Sequence, residues 1–122
     1  MSIIKPLDPL VPSDKQLEAS VSPVVLINLF IVESNGVDQL LKAWEHDAKW
    51  MKKQPGYIST QLHRGIAGSC VFLNYAVWES VAHFRAAFAN PEFTSKLSAY
   101  PSSAIARPHL FTRIAVPNLC AA

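Results

Sequence analysis

Residues 72–80 read FLNYAVWES, and residues 82–93 continue as AHFRAAFANPEF. Two periodicities meet here. Phe72, Asn74, Ala76 and Trp78 fall on one side of an extended chain, because successive side chains of a strand point to opposite faces. Val81, Phe84 and Phe88 then recur at helical spacing. Ser80, between the two runs, is a natural N-cap. The stretch therefore predicts a strand running directly into a helix. It also sends an amide and an indole N–H into apolar surroundings, where each needs a hydrogen-bond partner. That partner is either protein or a ligand carbonyl or phenolate.

Working outward, residues 24–32 (VVLINLFIV) are almost continuously apolar and β-branched, with Asn28 the one polar member. Such a run predicts a strand covered on both faces. Ser34, Asn35 and Gly36 supply turn and capping chemistry ahead of a helix over about 37–53. Leu40, Leu41, Trp44, Ala48 and Met51 mark its apolar stripe, Lys49, Lys52 and Lys53 suit its C-terminal end, and Pro55-Gly56 stops it. A second strand over 57–64, a hairpin loop over 65–68 and a third strand over 69–77 follow. After the helix at 81–89, Asn90-Pro91 starts a short helix with Phe93, Leu97 and Tyr100 on its apolar side. Residues 101–108 read as irregular, and 110–116 as the last strand.

The order is β-α-β-β-α-β, the split arrangement of an α+β, ferredoxin-like subunit. Its helices can cover only one face of the sheet. The doubly apolar first strand thus calls for a second subunit over the other face, which predicts a homodimer. Residues 1–22, with Pro6, Pro9 and Pro12, read as an extended arm that drapes over a partner or stays mobile. The folded domain is expected over 23–117, with a short tail at 118–122.

Composition narrows the function. A chain of 122 residues is one domain. A net charge of +2 without a basic stripe does not suit nucleic acid. Cys70 and Cys120 have no metal-type spacing, and a disulfide scaffold is not expected, which suits a reducing compartment. No stretch reaches the ~20 apolar residues that span a bilayer, and the N-terminus lacks a signal-peptide core; no membrane partner and a cytoplasmic location are expected. His46, His63, His83 and His109 are scattered, with no metal-binding spacing. No Gly-rich phosphate cradle, dinucleotide fingerprint or nucleophile elbow occurs. The expectation is therefore no metal and no cofactor.

Together with PGYISTQLHRG at 55–65, the strand–helix stretch resembles the antibiotic-biosynthesis monooxygenase family. The likeness runs over about 24–93, and more loosely over 110–116. It implies a ferredoxin-like subunit that pairs into a dimeric α+β barrel. Studied members include oxygenases that act on polycyclic aromatic polyketides with dioxygen and neither metal nor flavin. In such chemistry the substrate supplies the electrons: an anthrone- or quinol-like ring loses a proton, and its anion reduces dioxygen.

The resemblance puts Asn74 and Trp78 on the strand asparagine and tryptophan that line the active site, as the groups that bind the substrate oxygen. Asn28 shares the even-numbered face of a neighbouring strand, and with Phe72, Trp44, Phe84 and Phe88 it is expected to bind the aromatic substrate. His63, at the end of the second strand, is a candidate base, because imidazole is the side chain suited to taking up a proton near neutral pH. The tyrosine and arginine those oxygenases also use fall here on Phe84 and near Ser98. Haem-degrading relatives share the Trp-Glu-Ser motif and the Asn28 position, but their second tryptophan and iron-binding histidine fall on about Ala87 and Leu97. Two other readings stay open: a cyclase, isomerase or decarboxylase that needs no dioxygen, and a dimeric protein that binds an apolar small molecule without turnover.

Overall fold

The computed structural model describes residues 3–122. Four antiparallel strands, β1 (Val24–Ile31), β2 (Tyr57–Arg64), β3 (Val71–Trp78) and β4 (Ile105–Phe111), form one sheet in the order β2-β3-β1-β4. Helix α2 (Val37–Met51) connects β1 to β2, and α3 (Val81–Phe88) with the single turn α4 (Pro91–Thr94) connects β3 to β4. A further short turn, α1 (Ser13–Gln16), precedes the sheet. This is the split β-α-β-β-α-β order the residues predict. Among the described residues no helix is long and apolar enough to cross a membrane.

Register puts matched residues on each face. Val24, Leu26 and Phe30 of β1 and Phe72, Ala76 and Trp78 of β3 are buried beneath the helices. The opposite face carries Ile31, Val71, Tyr75 and Phe111 as exposed apolar side chains. Helices α3 and α4 start where their sequence says. Ser80 Oγ accepts the His83 backbone N–H at 3.1 Å, and Asn90 Oδ1 accepts that of Glu92 at 2.9 Å, satisfying donors a helix start leaves free. The start of α2 differs from expectation. Ser34–Gly36 forms a 3₁₀ turn, Gly36 is the cap, and no side chain caps it. Leu41 also points outward rather than joining the apolar stripe, which instead passes through Leu40 and Ala43.

The turn between α2 and β2 is a tight junction. Gly56 has φ +85°, and a Cβ there would lie 2.3 Å from His83 Cγ. Its carbonyl accepts the Glu79 N–H at 2.8 Å, which ties this turn to the β3–α3 corner. Gly56→Ala is expected to lower unfolding free energy by about 1–3 kcal/mol through left-handed backbone strain. Denaturant titration measures it, and an unchanged midpoint would contradict this account of the corner.

The last strand lies five residues earlier than its apolar run suggests, at Ile105–Phe111 instead of 110–116. Pro108 hides it in the sequence, since proline removes a ladder donor. Here the edge position accommodates it. Ala106 directs both its N–H and its carbonyl outward, to Ile3 and Lys5. Pro108, two residues on, has the same orientation, so its missing N–H faces away from β1. The arm is likewise folded onto its own chain; its first two residues lie outside those described. Ile4 bridges Ala106, Arg107 donates to the Pro6 carbonyl at 2.7 Å, and Arg85 donates to that of Leu17 at 2.6 Å.

Candidate active site

The covered face of the sheet is a ladder of rungs. One is Phe72, Phe30 and Ala106; another is Ala76, Leu26 and Leu110. Between them Asn74 stands directly opposite Asn28, which in turn faces Pro108. An apolar pair there would have joined two core clusters, one around Phe30, Leu40 and Phe72 and one around Leu26, Trp78 and Phe84. The paired amides hold them apart, and a cavity opens over the rung. Its enclosed interior is about 70 Å³, and it continues into an open mouth that brings the whole hollow to about 700 Å³. Trp44 and Met51 of α2, Phe84 and Phe88 of α3, and Leu97 and Tyr100 complete its walls, with Ile3 and Ile4 of the arm at one side.

Its polar atoms are few, and two lack partners. Thr60 Oγ1 donates to Asn74 Oδ1 at 2.5 Å, which leaves the Asn74 NH₂ as the amide's remaining group. Asn28 Oδ1 is buried with no hydrogen-bond partner. Asp47, 6% exposed, projects from α2 into the same cavity. Its Oδ2 accepts the Tyr100 hydroxyl at 2.7 Å, whereas Oδ1 is buried without a partner. Burial holds the Asp47 carboxyl above the usual range, opposed by the Tyr100 hydrogen bond and by the charges of Lys96 and His46. Burial, then the Asp47 carboxylate, hold the Tyr100 phenol far above its ordinary value. Tyr100 is fixed by parallel stacking on Phe30, with centroids 5.8 Å apart. Trp78 is clamped edge-on by Tyr57 and Phe84, each with centroids at 5.6 Å.

A family model for antibiotic biosynthesis monooxygenases matches residues 23–95, which contain both asparagines, Asp47 and Trp78. The chain belongs to that family. The fold agrees: SnoaB, a cofactor-independent oxygenase from Streptomyces nogalater, superposes with a TM-score of 0.71 at 24% identity, over 80% of this chain and 99% of its own. A candidate monooxygenase from Shewanella loihica PV-4 is 32% identical, with a TM-score of 0.67 over 80% of this chain and 99% of its own. Compared by sequence with curated proteins, the chain matches none.

Against this family frame, the cavity gathers six of the residues singled out from sequence: Asn28, Asn74, Trp78, Trp44, Phe84 and Phe88. Two lie elsewhere. Phe72 is one rung away, 2% exposed in the core, with the Arg64 guanidinium 5.2 Å above its ring. His63 pairs with Leu73 on the opposite face of the sheet, exposed, its Nδ1 3.3 Å from the Leu73 carbonyl oxygen. Its side chain cannot reach the cavity through the sheet. The other histidines stay apart, and among the described residues no three His, Cys, Asp or Glu side chains come together.

Three cavity residues with side-chain hydrogen bonds, Thr60, Asp47 and Tyr100, are not among the candidates the sequence marks. Asp47 carried a signal. Leu40, Trp44, Asp47 and Met51 are spaced i, i+4, i+7 and i+11, so the carboxylate occupies a position on the apolar stripe. Tyr100 was expected on an apolar face, and its hydroxyl partner lies 53 residues away in sequence.

Proposed function

We propose that this family member is a cofactor-independent monooxygenase that oxidises a hydroxylated, anthrone- or quinol-like aromatic ring with dioxygen. The observation that carries this reading is the polar rung under an aromatic cavity. Trp44, Phe84 and Phe88 suit a flat apolar ring, and Asn74 offers donors where ring oxygen would bear negative charge. Fixed donors aimed at a developing anion, away from bulk water, favour its formation. The anion gives its electrons to dioxygen; one oxygen atom enters the ring as a carbonyl and the other leaves as water. SnoaB is described as catalysing oxygenation without a cofactor, and its shared fold supports the reading. The exposed apolar face of the sheet supports a homodimer in which a second copy covers Ile31, Val71 and Tyr75; sedimentation as a monomer would contradict it.

Oxygen uptake by chelator-treated protein, offered a panel of anthrones, naphthols and quinols, tests the function. Catalysed uptake with one product per dioxygen consumed is expected. Conversion without uptake would favour an isomerase or cyclase, and binding without conversion a carrier; either overturns the oxygenase reading.

A further inference from the structure

We infer that Asp47 is the proton acceptor of this cavity, taking the proton of a ring hydroxyl on its unpartnered Oδ1 while Tyr100 holds its other oxygen. The inference rests on the reading that the cavity binds a hydroxylated aromatic ring.

The geometry argues against a purely structural carboxylate. A buried acceptor without a partner is unfavourable, and here two such acceptors, Asp47 Oδ1 and Asn28 Oδ1, belong to residues that line one cavity. Neither can be satisfied by a quinone or an ether, which only accept. Both are satisfied by hydroxyl donors, so the pair selects the reduced, hydroxylated ring over its oxidised product. Tyr100 acts as a positioning residue. Stacked on Phe30 and bonded at 2.7 Å, it fixes the carboxylate's rotation and leaves Oδ1 as the oxygen without a partner.

In the step, the ring O–H bond breaks and an O–H bond forms on Asp47 Oδ1, with the electron pair left on the ring oxygen. Asn74 then faces the anion. After electron transfer to dioxygen a C–O bond forms at a ring carbon that bears hydrogen; the O–O bond then breaks, and the proton held by Asp47 and the one lost from that carbon leave with the second oxygen as water. The groups that act on Asp47 are Tyr100 and Lys96 from the segment after α4 and His46 from its own helix, and Tyr57 of β2 is a further titratable residue of the cavity lining. Burial outweighs their attraction and raises the carboxyl. This makes it a better match to a weakly acidic hydroxyl than an exposed aspartate.

The sign of the pH dependence follows. Because the folded-state value lies above the unfolded one, the folded protein binds the extra proton. Stability is therefore lost as pH rises toward the folded value. Asp47→Asn keeps an oxygen for Tyr100 and removes the buried charge. It is expected to raise the thermal midpoint at neutral pH, with the gain vanishing in acid. It is also expected to lower kcat about 100-fold and to abolish the fall in kcat that wild type shows as pH drops through the Asp47 titration. Tyr100→Phe should lower kcat less than Asp47→Asn does and shift that acid limb upward, because the carboxylate loses its positioning contact and the hydrogen bond that opposes the rise is gone. A variant with wild-type kcat and an intact acid limb would overturn the assignment, whatever its stability.

A second readout does not depend on turnover. A chromophoric nitrophenol, followed by its absorbance, should bind wild type as the neutral hydroxyl form in preference to the phenolate. Asp47→Asn should reduce that preference at least tenfold; an unchanged preference overturns the proposal. If wild type consumes no oxygen with any ring while the preference still depends on Asp47, the oxygenase reading fails and the assignment of the acceptor is upheld.

Discussion

Asn74→Ala is expected to lower turnover by about 10²–10³-fold, the loss typical when one donor to a developing oxyanion is removed. Stability should fall by only about 1 kcal/mol. The two effects separate because of where the amide sits. Its Oδ1 is engaged by a threonine hydroxyl on the neighbouring strand. That hydroxyl is only half-buried, so losing its partner costs little. The NH₂ end faces the cavity, and no other residue of the rung replaces it, since Leu62 and Pro108 flank the two asparagines. Asn74→Asp should lose as much, because a carboxylate only accepts and repels a ring anion. Steady-state kinetics beside denaturant titration checks both. An Ala variant that turns over normally would remove Asn74 from the mechanism.

Trp78→Ala is expected to destabilise the protein by about 3–5 kcal/mol, the usual range for emptying a large aromatic from a core. The ring is 2% exposed. It sits at the end of β3, where the sheet hands over to α3, and contacts Tyr57 of β2 and Phe84 of α3 edge to face. Removing it loosens both walls at once. Trp78→Phe is the informative partner, because it retains much of the packing and deletes the N–H. Near-wild-type stability with reduced turnover would give the indole a polar role as well. Loss of both in proportion would make Trp78 a packing residue alone.

Much of this was legible in the residues because alternation is a local signal. The faces of β1 and β3 followed from parity, and parity placed Asn28 and Asn74 on one side before their register was known. That they stand directly opposite is a property of the pairing and was not readable from either strand. The β3–α3 corner was marked by Ser80, and the short helix by Asn90-Pro91. Failures came where local signals mislead. Pro108 argued against a strand, yet its bare nitrogen points off the sheet edge. His63 had a suitable chemical character, but its odd position in β2 sends it to the other face. Asp47 is hard to single out because its partner is distant in sequence, although a carboxylate on the Leu40–Trp44–Met51 stripe is itself unusual. The arm's composition fits several fates, and the backbone bonds of Ile3 and Lys5 to Ala106, with the hydrogen bonds of Arg85 and Arg107, bind it to its own chain.

Isotopic labelling under ¹⁸O₂ tests the central claim most directly, using chelator-treated protein and an anthrone or quinol that it converts. The account predicts a quinone carrying one labelled oxygen, labelled water as the co-product, and no product under nitrogen. Product of the same mass formed at the same rate without dioxygen would contradict it.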